Sequence, residues 1–331
     1  SIQSLYAKPS QSPLGSSSPV KEAELLKTSS DRKSDSKRSL SDQCFQSLSP
    51  FPGKFDREIL KKACAQVAHK ESCQSVQGVP IYHFDRNGIH ASQQRILVFS
   101  LIHGDETPAG SVGRLWVERL QQIEPRNTWR VIPMLNPDGV QAKTRTNANK
   151  IDLNRNFPTQ DWEEKAQAYW KKTTQSNPRR FPGSKAASEP ETQCALAHIE
   201  EFKPDMVVSI HTPLKVLDFD GPKVKPPKYN YLPWKTLGHY PGSLGRFMWH
   251  ERKVPVLTME LKEDLPSSEQ PLVQLQDIIG FLVSLDLSDR PRAPTSMETE
   301  KEEYQSRGSM DPLLNKSIPS ESLAGEEARK L

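Results

Sequence analysis

Short apolar runs alternate along the chain with segments whose apolar residues recur every three or four positions. The apolar runs predict buried strands, and the helical spacing predicts amphipathic helices. Strands are predicted at 95–102, 129–135, 206–210 and 254–261, and helices at 109–123, 191–202 and 270–287. Strands that alternate with helices predict an α/β fold, with a mixed, mostly parallel sheet flanked by helices.

The two ends of the chain differ in composition from its middle. Residues 1–50 are dominated by Ser, Lys, Asp and Pro, and the last forty or so residues are again polar. Such segments bury too little apolar surface to offset the backbone entropy lost on folding, about 1–2 kcal/mol per residue. We therefore predict a disordered N-terminal segment at 1–50, one globular catalytic domain at 51–287 and a disordered polar tail at 288–331.

The overall composition excludes two classes of protein. No apolar run approaches the roughly 20 residues that a membrane-spanning helix needs, which excludes an integral membrane protein. The formal net charge is only +4 over 331 residues, and no stripe of basic and aromatic residues supports nucleic-acid binding.

Four cysteines fit none of the paired patterns of a structural zinc site. Cys64 and Cys73 could form a disulfide in an oxidising compartment. Cys194 is expected to be a small buried residue, and Cys44 is left without an assignment. The chain begins at Ser1 without a basic and then apolar leader. Removal of a leader would explain this start, so we expect an exported, periplasmic protein, with a cytoplasmic location as the alternative.

Polar side chains stand where four of the predicted strands end. His103 and Glu106 follow the first strand, and Asn136 follows the second. His211 follows the third strand, and Glu260 lies near the end of the fourth. Ligands of open α/β sheets bind beyond the carboxyl ends of the strands, so these groups converge if the strands are parallel neighbours.

His103, Glu106 and His211 are predicted to hold one catalytic metal ion. His-x-x-Glu on a tight turn can point an imidazole and a carboxylate at the same ion. Two His with one Glu leave a fourth position for water, as in catalytic zinc sites. The alternative for an isolated His-x-x-Glu is a turn-capping histidine beside a solvated acid at a helix start. The second histidine and the further acid at strand ends favour the metal. His198 lies inside a predicted helix and is not counted as a ligand.

Glu260 is an acid embedded in the apolar run VLTMEL. A carboxylate in such a position is costly unless it is paired or functional. Beside metal-activated water it would act as the general base and then deliver the proton to the leaving amine. The alternative is an acid at a strand edge that faces solvent.

The segment 145–158, RTNANKIDLNRNFP, is dense in Arg and Asn. Arg155 with Asn154 is predicted to bind a substrate carboxylate, because a guanidinium matches a carboxylate through two parallel hydrogen bonds. Arg145 is predicted to stabilise the oxyanion that develops when a carbonyl is attacked. Asp152 is assigned to the scaffold or to support of the site. The alternative is an ordinary polar loop held by side-chain to backbone hydrogen bonds.

Together these motifs resemble the carboxypeptidase A-like zinc peptidases, and within them the murein peptide amidase A branch. The motifs occur in the order HGDE at 103–106, NPDG at 136–139, Arg145 with DLNRNFP at 152–158, SEPET at 188–192, SIH at 209–211 and Glu260. The resemblance spans roughly 80–287 and implies a zinc carboxypeptidase-like domain with one Zn²⁺ ion. The site roles that it implies agree with the assignments above: metal ligands at His103, Glu106 and His211, a general base at Glu260, and carbonyl and carboxylate binding by Arg145, Asn154 and Arg155.

The resemblance also implies a tyrosine in the loop before Pro-Gly-Ser. Here that loop reads GHYPGS at 238–243, so either His239 or Tyr240 fills the place. We favour Tyr240, since its hydroxyl can donate to the departing peptide nitrogen.

The branch cleaves the amide bond between γ-D-glutamate and meso-diaminopimelate in peptidoglycan peptides, and we expect such peptides to be the substrate here. One alternative is a broader zinc carboxypeptidase that acts on protein or peptide C-termini. Another is a non-catalytic domain that binds cell-wall peptides. An aspartoacylase-like deacylase is disfavoured, because that group adds a β domain after the catalytic Glu, whereas one helix and a polar tail follow Glu260 here.

Overall fold

The structure is a computed structural model that describes residues 40–90 and 93–284. The helices of this part of the chain are α1 (40–48), α2 (Arg57–Ala65), α3 (Thr107–Gln122), α4 (Pro137–Ala142), α5 (Trp162–Lys172), α6 (Pro190–Phe202) and α7 (Gln270–Ser284). The strands are β1 (Ala68–Gln74), β2 (Pro80–Arg86), β3 (Arg95–Ser100), β4 (Thr128–Ile132), β5 (Met206–His211), β6 (Val216–Asp220) and β7 (Val256–Glu260). Short helical turns occupy Leu153–Arg155, Pro178–Arg180 and Arg246–Glu251.

The strands form one seven-stranded sheet in the order β1-β2-β4-β3-β5-β7-β6. Its centre is parallel, because β4, β3, β5 and β7 run in the same direction. Its edges are antiparallel, with β1 and β2 on one side and β6 on the other. The predicted α/β fold with a mixed sheet is confirmed.

Helices cover both faces of the sheet, which explains why the central strands are apolar along their whole length. Successive side chains of a strand point to opposite faces. On β3, Val98 therefore joins one core cluster with Trp116 of α3, and Leu97 joins the other with Ile199 of α6. None of the helices in the described ranges is both long enough and apolar enough to cross a membrane.

The strands and helices that the apolar pattern predicts are all present, with ends shifted by a few residues. The strand predicted at 129–135 stops at Ile132, because Pro133 has no N–H to offer the sheet. Pro190 begins α6, as its fixed φ favours. The last residues predicted for the closing helix, 285–287, lie outside the described residues.

The predicted domain boundary at residue 51 is wrong. Residues 40–48 form α1, in which Cys44 and Leu48 are fully buried. Arg114 of α3 donates through Nη1 to the backbone carbonyls of Leu48 and Phe51, at 3.2 and 2.7 Å. The Ser-rich composition conceals this helix because so few of its residues enter the core. The rest of the N-terminal segment, 1–39, and the predicted tail at 288–331 lie outside the described residues.

The cysteines form two disulfides, Cys44–Cys64 and Cys73–Cys194. The disulfide that the sequence allowed between Cys64 and Cys73 therefore does not form. Cys194 is buried as predicted, but as one half of a disulfide that joins α6 to β1. Spacing along the chain does not report which distant elements pack together, and the packing of α1 on α2 and of α6 on β1 decides the pairing.

Candidate active site

The predicted metal ligands lie where β3 and β5 end, side by side in the sheet. β3 ends at Ser100, and the turn that follows carries His103 and Glu106, the residue immediately before α3. His211 is the last residue of β5. The turn passes close to α4, where a Cβ on Gly104 would lie 2.0 Å from the carbonyl carbon of Gly139. Only glycine permits this approach, which brings the turn to the edge of the sheet.

The three side chains meet around the carboxylate of Glu106. Its Oε1 lies 2.8 Å from His103 Nδ1, and its Oε2 lies 3.0 Å from His211 Nδ1. The two Nδ1 atoms are 3.2 Å apart. Each residue has 6 % or less of its surface exposed. The sequence prediction that His103, Glu106 and His211 come together therefore agrees with the geometry.

The outer nitrogen of each imidazole is held by a neighbouring polar group. His103 Nε2 lies 3.1 Å from Asp152 Oδ1, and His211 Nε2 lies 2.8 Å from Ser209 Oγ. Such contacts fix the orientation of a ring and decide which nitrogen is left for a metal. Both rings consequently present Nδ1 to the centre of the cluster.

Asp152 connects this cluster to Arg145. It is fully buried, and its Oδ2 accepts a 3.0 Å hydrogen bond from Arg145 Nε. Arg145 Nη1 also lies 3.6 Å from Glu106 Oε1. Burial acts to raise the pKa of Asp152, but Arg145 and His103 together hold it well below its usual range. Asp152 is thus ionised at neutral pH and supports both neighbours.

The charges of the cluster overcome the effect of burial on its members. Burial and the Arg145 cation act to lower the pKa of His103, but Glu106 and Asp152 raise it above its ordinary value. Burial acts to raise the pKa of Glu106, but the two imidazoles lower it far below that of a free carboxyl group. Two ionised carboxylates therefore stand among the imidazoles, an environment that attracts a cation.

Glu260 stands beside this cluster because its strand is the next one in the sheet. It is the last residue of β7 and lies opposite His211 in the parallel β5–β7 register. Its Oε2 accepts a hydrogen bond of 3.3 Å from the N–H of Leu214. This contact holds the carboxylate at the wall of a cavity of about 210 Å³.

The same cavity is lined by every residue to which the sequence assigned a metal, catalytic or binding role. These residues are His103, Glu106, Arg145, Asn154, Arg155, His211, Tyr240 and Glu260. They come from turns and strand ends that are far apart in the chain and that meet at one edge of the sheet.

Asn154 and Arg155 are oriented by the backbone around them. The Leu244 N–H donates to Asn154 Oδ1 at 2.9 Å, and Arg155 Nη1 donates to the Asn154 carbonyl at 2.6 Å. Arg155 Nε is buried and finds no hydrogen-bond partner in the described chain. Burial lowers the pKa of Arg155, with Asp152 opposing the shift and the Arg145 and Arg180 cations adding to it. A bound anion would relieve this crowding of positive charge.

Tyr240 and His239 both line the cavity, but their surroundings differ. The Arg155 guanidinium lies over the Tyr240 ring, 4.4 Å from its centroid, and the Tyr169 ring packs against the same residue at 5.5 Å. His239 instead approaches Asp220, with 3.3 Å between Nε2 and Oδ1, and its ring packs against His250 at 4.2 Å. Tyr240 is thus the one of the two that belongs to the cationic side of the site.

Sequence reasoning missed part of this cavity. Asp218 and Asp220 of β6, Thr258 of β7 and Arg180 also line it. The many Pro and Lys residues between His211 and Trp234 conceal β6 in the sequence. The signal was the alternation Val-Leu-Asp-Phe-Asp at 216–220, in which the two acids share one face of a strand.

A second set of possible metal donors is Cys73, Cys194 and His198, whose donor atoms lie within 4.8 Å of one another. Both sulfurs are used in the disulfide. Arg130 Nη1 lies 3.3 Å from His198 Nδ1, and burial with the His83 and Arg130 charges lowers the pKa of His198 to about 2. These contacts agree with the prediction that His198 is not a metal ligand.

Comparisons with known proteins identify a family of zinc enzymes, which agrees with a metal site formed by His103, Glu106 and His211. The zinc carboxypeptidase family, Peptidase_M14, matches residues 58–233. Murein peptide amidase A of Vibrio campbellii is 35% identical over 198 residues, which are 56% of this chain and 76% of that protein. Murein peptide amidase A of Escherichia coli K12 is 35% identical over 146 residues, 44% of this chain and 59% of that protein. The structure of bovine thrombin-activatable fibrinolysis inhibitor, in complex with tick carboxypeptidase inhibitor, shares the fold at 15% identity, with a TM-score of 0.54 over 70% of this chain and 94% of its own.

The family match covers more than half of the chain, and its range includes His103, Glu106, Arg145 and His211. Glu260 lies beyond the matched range, but the sheet register places it next to His211. The chain therefore belongs to the zinc carboxypeptidase family of metallopeptidases and is a hydrolytic enzyme.

Proposed function

We propose that this enzyme is a zinc-dependent amidase that hydrolyses the γ-D-glutamyl–meso-diaminopimelate bond of peptidoglycan peptides. The observation that carries the chemistry is the convergence of His103, Glu106 and His211 beside Glu260 in one cavity. The similarity to proteins named murein peptide amidase A supports the choice of substrate.

The residues present fit a zinc ion. One donor atom from each of His103, Glu106 and His211 lies within 4.8 Å of the others, and all three residues are buried. Two nitrogens 3.2 Å apart that face one carboxylate form a donor set for a single small cation. Two His and one Glu form the protein part of a catalytic zinc site with an open position. When bound, zinc supplies a Lewis acid that polarises the scissile carbonyl and acidifies water.

Glu260 is the proposed general base. It lies next to His211 across the β5–β7 register, and the Leu214 N–H keeps its carboxylate at the cavity wall. From there the carboxylate would accept a proton from the attacking water and deliver it to the leaving amine nitrogen.

Arg145 is the proposed stabiliser of the oxyanion. Asp152 holds it through Nε, and burial is outweighed by the Asp152 and Glu106 carboxylates, so that the pKa of Arg145 is raised. The group therefore remains a fixed cation. A fixed donor stabilises a developing negative charge without having to reorganise.

Arg155 and Asn154 are proposed to bind a carboxylate of the leaving residue, with Tyr240 donating to the departing nitrogen. The buried, unpaired Nε of Arg155 and the neighbouring Arg180 cation support an anion subsite. A free C-terminal carboxylate of an ordinary peptide would satisfy the same groups. A broader zinc carboxypeptidase is therefore the second candidate function.

Product analysis separates the two candidates. The full chain would be loaded with zinc and incubated with L-alanyl-γ-D-glutamyl-meso-diaminopimelate and with its isomer that has an ordinary α-glutamyl bond. We expect release of diaminopimelate from the γ-linked peptide alone, measured by mass spectrometry. Equal hydrolysis of both isomers would favour the broader carboxypeptidase, and hydrolysis of neither would contradict both functions.

Export to the periplasm remains a proposal. The two disulfides support it, because such bonds persist in oxidising compartments and are rare in the cytoplasm. Thiol labelling before and after reduction, on protein taken directly from cells, would detect no reactive cysteine before reduction if the proposal is correct.

A further inference from the structure

Two acidic side chains form one wall of the catalytic cavity. In the antiparallel β6–β7 pair, Asp218 lies opposite Thr258, and Val216 lies opposite Glu260. Opposed residues and every second residue of a strand share a face. Asp218 and Asp220 are therefore on the same face as Glu260. At 3.4 Å of rise per residue, Asp218 lies about 7 Å along the strand from the level of Glu260.

Asp218 is a carboxylate with no salt-bridge partner within 4 Å among the described residues. Only 4% of its surface is exposed, and its Oδ1 is buried with no hydrogen-bond partner in the structure as described. The backbone N–H of Leu237 donates a hydrogen bond to this side chain. Buried carboxylates are normally paired, so an unpaired oxygen in a substrate cavity indicates a group that the substrate supplies.

The neighbours of Asp218 do not neutralise it. Asp220 lies on the same face, and its Oδ1 contacts His239 Nε2 at 3.3 Å. Burial lowers the pKa of His239, which leaves this imidazole uncharged at neutral pH. Burial and the Asp220 charge raise the pKa of Asp218 to about 6 against the opposing effects of the Leu237 N–H and His239, and burial raises the pKa of Asp220 to about 6.

Asp218 and Asp220 do not belong to a converging set of metal donors among the described residues. In the described ranges, only two sets of three donors converge within 4.8 Å, and neither includes Asp218 or Asp220. The cavity also contains the guanidinium groups of Arg145, Arg155 and Arg180. A cavity of about 210 Å³ that contains both carboxylates and guanidinium groups suits an amino acid with a carboxylate and a positively charged side chain.

We propose that Asp218, assisted by Asp220, binds a side-chain ammonium group of the residue whose amine leaves. The inference rests on the proposed function and deepens it: the enzyme selects leaving residues with a free ammonium group at the end of a chain of about four carbons. The span of about 7 Å from the level of Glu260 matches such a chain, as in lysine or diaminopimelate. Residues whose distal amine is acylated or missing are excluded as good substrates.

A matched series of substrates tests this proposal. The zinc-loaded full chain would be assayed with γ-D-glutamyl peptides whose leaving residue is lysine, Nε-acetyl-lysine or norleucine. We expect kcat/KM for lysine to exceed that for either neutral residue by about 10- to 100-fold, the value of one charge-assisted hydrogen bond pair. In Asp218→Asn, which keeps the shape of the side chain, this ratio should fall to within about threefold of unity. Asp220→Asn should lower it less, because in the parent enzyme the Asp220 carboxylate already contacts His239.

Asp277→Asn is the matched control, because Asp277 is on α7 and pairs with Arg119 away from the cavity. It should leave the lysine-to-norleucine ratio unchanged. The proposal is overturned if the parent enzyme shows no preference for lysine, or if Asp218→Asn retains the preference. The same substrates with α-glutamyl bonds distinguish a failure of the proposed γ-linkage from a failure of the ammonium subsite. A lysine preference that depends on Asp218 but appears only with α-linked peptides contradicts the proposed γ-linkage and leaves the ammonium subsite in place.

Discussion

The two walls of the catalytic cavity are built in opposite ways. On the wall formed by the ends of β3 and β5, both nitrogens of His103 and of His211 have partners, and so do both oxygens of Glu106. On the wall formed by β6, Asp218 has a buried oxygen without one among the described residues. Contacts within the protein fix the orientation of the first wall, whereas the second wall presents a charge that a bound substrate would pair.

This difference indicates which residues serve catalysis and which serve substrate selection. A preorganised network fixes the groups that must act in every turnover, since their geometry cannot depend on the substrate. An unpaired buried charge is instead unfavourable until the matching substrate arrives, so it discriminates between substrates. Loss of a member of the first wall should therefore impair catalysis for every substrate, and loss of Asp218 should change the choice among them.

The largest effect is expected for His211→Ala. The substitution removes one of three donors and leaves Glu106 with a single imidazole partner, so zinc should be lost and hydrolysis should fall to background. Zinc per chain, measured by inductively coupled plasma mass spectrometry, and hydrolysis of the γ-linked peptide are the readouts. His90→Ala is the control, since His90 is exposed and outside the cavity. An unchanged zinc content in His211→Ala would remove this residue from the ligand set.

Glu260→Gln separates metal binding from proton transfer. Glutamine keeps the shape of the side chain but cannot accept the proton, so kcat should fall by about 10²- to 10⁴-fold. Zinc content should remain equal to that of the parent, because Glu260 is not one of the three converging donors. Glu263→Gln, in the segment after β7, should retain parental activity. Normal turnover by Glu260→Gln would show that another group moves the proton.

Asp152→Asn tests whether the buried carboxylate that contacts His103 Nε2 strengthens zinc binding. The variant weakens the contact with His103 Nε2 and the ion pair with Arg145, and zinc affinity should fall by about 10- to 100-fold. Competition with a chelator measures this affinity. Asp138→Asn is a suitable comparison, because Asp138 is also buried but bonds to Ser75 and not to the cluster. Equal zinc affinities in the two variants would contradict the supporting role.

The contrast between the walls also explains what could be predicted from the sequence. The β3 and β5 wall follows from two local facts, an apolar run and a chemical motif where it ends, and parallel neighbours then bring His103 and His211 together. The β6 wall has no such apolar run, and its local signal is only the short alternation at 216–220. The five-residue strand β6 is an edge strand, and its two acids break the apolar pattern by which a buried strand is recognised.

The other features that the sequence did not predict have the same physical origin, because they depend on contacts between distant parts of the chain. β1 is an edge strand with charged residues, so periodicity does not reveal it. The Cys73–Cys194 disulfide crosses 121 positions of sequence and follows from the packing of α6 on β1. α1 is held by Cys64 and Arg114 from other elements rather than by its own pattern.

The smallest expected effect is a change in thermal stability on substitution of Asp218, which tests the contrast between the two cavity walls. The raised pKa of Asp218 means that the folded state binds a proton that the unfolded state releases between about pH 4 and pH 6, so stability falls as the pH rises through that window. Asp220, which shares its face, acts in the same direction, whereas the lowered pKa of His239 acts in the opposite direction. Asp218→Asn should therefore raise Tm of the substrate-free enzyme at pH 7.5 by about 2–4 °C, with a smaller gain at pH 4.5, where the aspartate is protonated. Thermal unfolding followed by circular dichroism, with Asp277→Asn alongside, measures both values. A Tm that falls at pH 7.5 would mean that the carboxylate stabilises the fold, and the β6 wall would then be a structural element rather than one that substrate completes.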